Sequence, residues 1–216
     1  MAINISSNSR LHGTYLITHH DPYDDERLLS DSRNALIAGA GILQYRDKSS
    51  DAAKRLRQAV KLRNLTAEYG CLLIINDDIE LAQQVAADGV HLGKHDNAIQ
   101  PARSLLGPDS IIGASCYNQL SLALQACSEG ADYVAFGRFF ASTTKPAAVQ
   151  AQPQLLKQAR KKLDIPIVAI GGITHDNAPG LIKAGADMIA VINAVFAQPD
   201  ITAATRQFQN LFKPQG

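Results

Sequence analysis

The sequence predicts a single (β/α)8 barrel, and three observations lead there. Short β-rich runs alternate with longer stretches of helical spacing, and eight such units fit into 216 residues. The runs are apolar almost without interruption, as strands buried on both faces are. Strands that alternate with helices form parallel sheets. An open doubly wound sheet is the competing architecture; no G-x-G-x-x-G follows the first run, which counts against it.

The eight runs are TYLIT (14–18), GILQY (41–45), CLLII (71–75), GVHL (89–92), SIIGAS (110–115), DYVAF (132–136), PIVAI (166–170) and DMIAVI (187–192). Helical spacing fills 25–38, 51–69, 78–87, 98–106, 118–129, 153–163, 176–184 and 199–212. Within 51–69, Ala52, Leu56, Ala59, Leu62 and Leu65 recur at steps of three or four and make one apolar face. Lys54, Arg57 and Lys61 fall on the solvated remainder. Three helix-to-strand joints rhyme, IAGAGILQY, SEGADYVAF and KAGADMIAV. Glycine there is the expected left-handed helix stop. Residues 1–10 are polar and read as a loose lead-in, with 11–216 as the barrel. The longest stretch without clear structure, GRFFASTTKPAAVQAQ at 137–152, follows the sixth run. Long loops in compact domains often carry function.

Composition narrows the function classes. With 46% hydrophobic and 19% charged residues the chain reads as an ordinary globular protein. A net charge of +1 gives no field for nucleic acid or an anionic membrane. The absence of Trp removes the usual stacking platform for single-stranded nucleic acid. No apolar run approaches the roughly 20 residues of a membrane helix, and MAINISSNSR lacks the apolar centre of a secretory signal. The expected location is the cytoplasm. The expected partners are small phosphorylated molecules, not nucleic acid or membrane, and homo-oligomerisation stays open. Cys71, Cys116 and Cys127 form no C-x-x-C, which argues against a disulfide framework or structural zinc. Cys71 reads as a core residue and Cys116, at a strand end, as a candidate for lining the site.

In a barrel the reactive face is built at the C-terminal ends of the strands, so those residues were read in order. After run one, Thr18, His19, His20 and Asp21 read as the start of a polar loop, because neighbouring residues on a strand face opposite ways and the His pair cannot easily share an ion. In LQYRDK, Gln44, Arg46 and Lys48 are spaced by two and share one side of an extended chain. Two cations and an amide on one face suit a polyphosphate. Run three ends in Asn76, Asp77 and Asp78, of which Asp78 reads as a helix N-cap. Run four ends near Asp96, and His91 within it reads as a hydrogen-bonded core histidine. Adjacent strands would let Asp77 and Asp96 converge, and two carboxylates plus substrate phosphates make a typical Mg2+ site. Ser115 closes run five. Ser142, Thr143, Thr144 and Lys145 offer hydroxyls, backbone N–H groups and a cation as a phosphate cradle. The paired glycines of IGGIT let a ligand approach the backbone, and loops after strands seven and eight are a common phosphate grip. The residues alone suggest phosphate chemistry with a divalent metal and leave the organic substrate open.

The sequence also resembles the thiamine phosphate synthase family. LQYRDK is similar to its Q-x-R-x-K signature, and LIINDDIELAQQVAADGVHLGKHD to its N-D…G-A-D-G-V-H-L-G-Q-x-D block. IIGASCYN, ADYVAFGRFFASTTKP and IPIVAIGGIT match further blocks in order, from about Tyr15 to Phe196. The resemblance implies a Mg2+-dependent transferase on a (β/α)8 barrel. It would join 4-amino-2-methyl-5-(diphosphomethyl)pyrimidine to 4-methyl-5-(2-phosphooxyethyl)thiazole, giving thiamine phosphate and diphosphate. It implies that the stretch Gln44, Tyr45, Arg46, Asp47, Lys48, with Asn76, Ser115 and Lys145, binds the pyrimidine diphosphate. Ser142, Thr143, Thr144, Gly172, Ile192 and Asn193 would bind the thiazole phosphate, and Asp77 and Asp96 would hold Mg2+. Lys48, Lys145 and Ser115 would be catalytic. Ser142 stands where the family often has Thr and keeps the hydroxyl; Arg138 replaces a common proline, Asn193 a usual serine, and Lys94-His95 a Gln-acid pair. A thiazole tautomerase or a non-catalytic phosphate-ligand sensor on the same barrel are the alternatives; neither requires the joint Q-x-R-x-K, Asn-Asp and distal Asp set.

Overall fold

Successive side chains on a strand face opposite sides of a sheet, and here that parity sorts them into two cores. On the first strand Tyr15 and Ile17 point to an inner core and Leu16 to an outer one; on the third, Leu72 and Ile74 point in and Leu73 and Ile75 out. The inner core fills the barrel axis, and the outer core is shared with the surrounding helices.

The computed structural model describes residues 10–18, 24–93, 99–141 and 150–213. Its strands are β1 (Gly13–Ile17), β2 (Ile42–Tyr45), β3 (Leu72–Asn76), β4 (Gly89–Leu92), β5 (Ile111–Tyr117), β6 (Tyr133–Gly137), β7 (Ile167–Ile170) and β8 (Met188–Val191). Each pairs in parallel with its sequence neighbour, and β8 returns to β1, closing the barrel. The helices are α1 (Asp25–Ile37), α2 (Ala52–Glu68), α3 (Ile79–Gln84), α4 (Ile99–Leu106), α5 (Leu120–Ser128), α6 (Pro153–Arg160), α7 (Ala178–Lys183), α8 (Asn193–Phe196) and α9 (Ile201–Asn210). The (β/α)8 expectation therefore holds. Among the described residues, no helix is long and apolar enough to cross a membrane.

Helix starts follow the sequence closely. Asp24, Asp51, Asp78 and Asp200 each accept the backbone N–H three residues on, which satisfies a donor the helix itself cannot. One element escaped the sequence reading. The single turn of α8 directly follows β8 and is too short to show a period.

The rhyming joints acquire a cause. Asp132 accepts the Ile112 N–H at 2.7 Å and pairs with Arg103 of α4 at 2.7 Å. Asp187 accepts the Ile167 N–H at 2.7 Å and pairs with Arg160 of α6. Asp88 does the same for the Leu73 N–H and Arg63 of α2, both at 2.7 Å. Each aspartate ties the start of one strand to the helix before it and to the strand that follows. The joint before β2 carries Gly41 at the equivalent place and has no such clamp.

Candidate active site

The inner core stops short of the C-terminal strand ends and leaves a cavity of about 450 Å³ there. Its wall is divided by chemistry. Gln44, Arg46, Asn76, His91 and Ser115, from β2 to β5, make a polar side. Ile17, Ala135, Val168, Ile170 and Ala190, from β1 and β6 to β8, make an apolar side, to which the segments after β6 to β8 add Arg138, Thr174, Asn193 and Gln198. A pocket of this kind takes a flat ring along the apolar wall while a few polar groups fix its orientation.

Parity decides which members of QYRDK reach the cavity. Gln44 and Arg46 share the inward side with Ile42. Thr18 fixes Arg46 further, its hydroxyl accepting the Arg46 N–H at 2.9 Å. The Arg46 Nη1 atom is buried with no hydrogen-bond partner among the described residues. Burial lowers the Arg46 pKa, with Asp77 pushing the other way. A cation so held favours an anion that can desolvate with it. The side chains of Tyr45 and Asp47 face elsewhere. The Tyr45 hydroxyl donates to Gln58 of α2 at 2.8 Å, within the outer layer. Asp47 accepts the Ser49 N–H at 2.6 Å and pairs with Lys54 at 2.8 Å, so it anchors the loop into α2.

Asp77 sits just past β3 with φ 63, a left-handed conformation that Asp and Asn tolerate better than most residues. Its carboxylate accepts from Lys48 Nζ, from Asn76 Nδ2 at 2.7 Å and from the Gly93 N–H at 3.2 Å. Burial pulls its pKa up, but the Lys48 hydrogen bond and charge, with the Asn76 hydrogen bond, hold it below the ordinary carboxylate range. Asp77 is thus ionised at neutral pH and turned towards the end of β4. Asp96, its expected partner, lies outside the described residues, as do His19, His20, Asp21, Ser142, Thr143, Thr144 and Lys145.

Gly172, Ile192 and Asn193 all line the cavity, opposite Arg46 and Asn76. Gly172 has φ 65, and a Cβ there would stand 2.2 Å from the Ala141 carbonyl oxygen. No other residue type fits this turn without moving residues 140–141. Ile192 and Asn193 open α8, the short extra helix whose place after strand eight is a frequent phosphate grip in barrels. Cys116 does not line the cavity; it is buried in the outer core. Burial pushes the Cys71 and Cys116 thiols up to about 12. Alkylation of the folded protein by iodoacetamide is expected to stop at Cys127; modified Cys71 or Cys116, read by peptide mass, would contradict this assignment.

Cavity-lining Tyr15 and His91, and the fully buried Tyr133, are not site residues in the sequence analysis. Tyr15, Tyr133 and His91 form a buried chain with Gln44 and Ser115. Gln44 Nε2 donates to the Tyr15 hydroxyl at 2.9 Å, which lies 2.7 Å from the Tyr133 hydroxyl. The Tyr133 hydroxyl lies 3.0 Å from His91 Nδ1, and His91 Nε2 lies 2.8 Å from Ser115 Oγ. The hydrogen-bonded core position read for His91 is the one it occupies, and that position also faces the cavity. No local signal marks the two tyrosines, because GTYLI and YVAFG are buried on both faces.

The thiamine monophosphate synthase family model matches residues 14–195. A thiamine-phosphate synthase of Methylobacillus flagellatus is 54% identical over 202 residues, which cover 94% of this chain and 96% of the relative. One from Thiobacillus denitrificans is 50% identical over 200 residues, 93% of this chain and 94% of the relative. Among solved structures, a thiamine phosphate pyrophosphorylase from Pyrococcus furiosus superposes with a TM-score of 0.83 at 36% identity, covering 94% of this chain and 97% of that one.

Proposed function

Because the chain belongs to the thiamine monophosphate synthase family, we propose that it is the transferase that makes thiamine phosphate. It condenses 4-amino-2-methyl-5-(diphosphomethyl)pyrimidine with 4-methyl-5-(2-phosphooxyethyl)thiazole and releases diphosphate. The observation that best supports this from the site is the half-buried Arg46, whose Nη1 has no hydrogen-bond partner among the described residues, on the polar wall of a half-apolar cavity. That wall suits a diphosphate, and the other suits an aromatic ring.

In this reading the C–O bond to diphosphate breaks and a C–N bond to the thiazole forms. The thiazole nitrogen attacks through a lone pair that carries no proton, so no general base is needed. In this reading Arg46, on the cavity wall, and Lys48, paired with Asp77, offset the negative charge that develops on the departing group. Ser115 and Gln44 orient the pyrimidine on the wall, and holding the two rings face to face supplies much of the remaining acceleration. Ser142 to Thr144, with Gly172, Ile192 and Asn193, hold the thiazole phosphate, and Lys145 reaches the pyrimidine diphosphate.

Asp77 and Asp96 would hold Mg2+. Asp77 fits that use, being a hard oxygen donor kept ionised by its neighbours, and one or two carboxylates with substrate phosphates suffice for this ion. When bound, Mg2+ supplies further positive charge against the diphosphate. Asp77→Asn keeps a residue that tolerates φ 63. It is expected to reduce turnover and to raise the Mg2+ concentration giving half-maximal rate; an unchanged metal requirement would remove Asp77 from the site.

The deciding experiment is diphosphate release by the purified protein given both substrates, with and without Mg2+. Release that needs both substrates and the metal, with thiamine phosphate in equal amount, is expected. No release under any combination would overturn the reading in favour of a tautomerase or a phosphate-ligand sensor.

A further inference from the structure

We propose that Tyr133 is a positioning residue that, through His91, turns the Ser115 hydroxyl proton into the cavity. The proposal rests on the synthase reading only for what the Ser115 proton meets, an acceptor atom of the pyrimidine substrate.

The orientation of the Gln44 amide, with Nε2 on Tyr15, sets the direction. An amide nitrogen only donates, so Gln44 Nε2 makes the Tyr15 oxygen an acceptor. A phenol has one proton. Tyr15 is 1% exposed, so its proton goes to Tyr133, 2.7 Å away. Tyr133 is fully buried, and its single proton passes on to His91 Nδ1 at 3.0 Å. His91 Nδ1 then accepts, and the ring carries its proton on Nε2. That N–H donates to Ser115 Oγ at 2.8 Å. With a lone pair of Ser115 occupied from below, its own proton points to the ligand side. Desolvation raises both tyrosine pKa values, so each phenol keeps its proton. Turning the Gln44 amide over would reverse every bond, leave Nδ1 protonated and make Ser115 donate downwards.

The barrel is shaped around this chain. Gly113 on β5 pairs in register with Tyr133, and a Cβ there would stand 2.0 Å from Tyr133 Cζ. The His91 ring lies nearly parallel to the Tyr133 ring, at 23° and 5.6 Å between centroids. Buried phenols and imidazole are costly unless bonded throughout; here each has its partners, and the one group left over faces the cavity.

The test begins with the wild-type protein, so it does not depend on a variant folding. Nitrogen-15 NMR of labelled histidine is expected to show His91 with a bare Nδ1 and a protonated Nε2; the opposite tautomer would overturn the proposal. A double-mutant cycle follows. Tyr133→Phe keeps the ring and is expected to lower kcat/KM up to about tenfold, the worth of one neutral hydrogen bond. In a Ser115→Ala background the same change is expected to cost almost nothing, because Tyr133 acts through Ser115. Equal losses in both backgrounds would mean a merely structural role and would overturn the proposal. Diphosphate release by the wild-type protein tests the synthase reading separately, so the two failures are distinct.

Discussion

Replacing Arg46 by alanine is expected to lower kcat/KM for thiamine phosphate formation by about 10²- to 10³-fold, the usual loss when a preorganised group facing developing charge is removed. Arg46 meets the conditions for an effect of that size. Its backbone is pinned by Thr18, its head is half-buried, and one guanidinium nitrogen has no partner among the described residues. A cation in such a place is worth more than one in water. Kinetics separate its two uses. A contact made equally with substrate and transition state raises KM alone, whereas one that strengthens as diphosphate departs lowers kcat. The expected result is a fall in kcat as well as a rise in KM. Arg46→Lys should recover only part, since a point charge cannot reproduce the planar fork. An alanine variant with wild-type kcat/KM would show that the diphosphate binds elsewhere.

The second large effect is on stability. Arg103→Ala is expected to cost about 2–4 kcal/mol, below the full range for breaking a buried pair because the side chains are part-exposed. Arg103 pairs with Asp132 at 2.7 Å and also donates to the carbonyls of Gly107, Pro108, Ser110 and Gly130. The end of α4 and the turn after α5 thus share one side chain. At this chain length each kcal/mol moves the melting temperature by about 2–4 °C, so calorimetry should show a drop of about 5–15 °C with kcat unchanged. A drop within the error of the measurement would mean that solvent replaces all five partners. Lysine at 103 should restore little, because it cannot reach several acceptors from one plane.

How far the sequence could be read follows from what each strand hides. Strand and helix positions were legible because alternation and period survive without tertiary knowledge, and Asp78 announced its cap by preceding an apolar run. The two faces of a doubly buried strand were much less legible. On GTYLI both sides are apolar, so nothing local says that Tyr15 points to the axis and Leu16 to the helices. The same blindness hid Tyr133. In LQYRDK the spacing of Gln44, Arg46 and Lys48 already marks one side, and the side chains of Tyr45 and Asp47 bond to Gln58 and Lys54 on the other. His91 was read correctly as bonded, but the partners that make it matter lie 24 and 42 residues away, beyond any local pattern.

The three aspartate clamps give the barrel a second rhythm. Arg63 to Asp88, Arg103 to Asp132 and Arg160 to Asp187 span 25, 29 and 27 residues. Each clamp encloses helix, strand, helix and the start of the next strand, so the chain is partitioned into cassettes of two strands, not one. The joins between cassettes fall after β2, β4 and β6. Those joins bear Arg46 and Lys48, Asp96, and the Ser142–Lys145 stretch. Lengthening or exchanging a join leaves every clamp intact, whereas the links inside a cassette are framed at both ends. Variation in what this barrel binds therefore has a preferred address: the three seams, where the chain can be rewritten without loosening the units on either side.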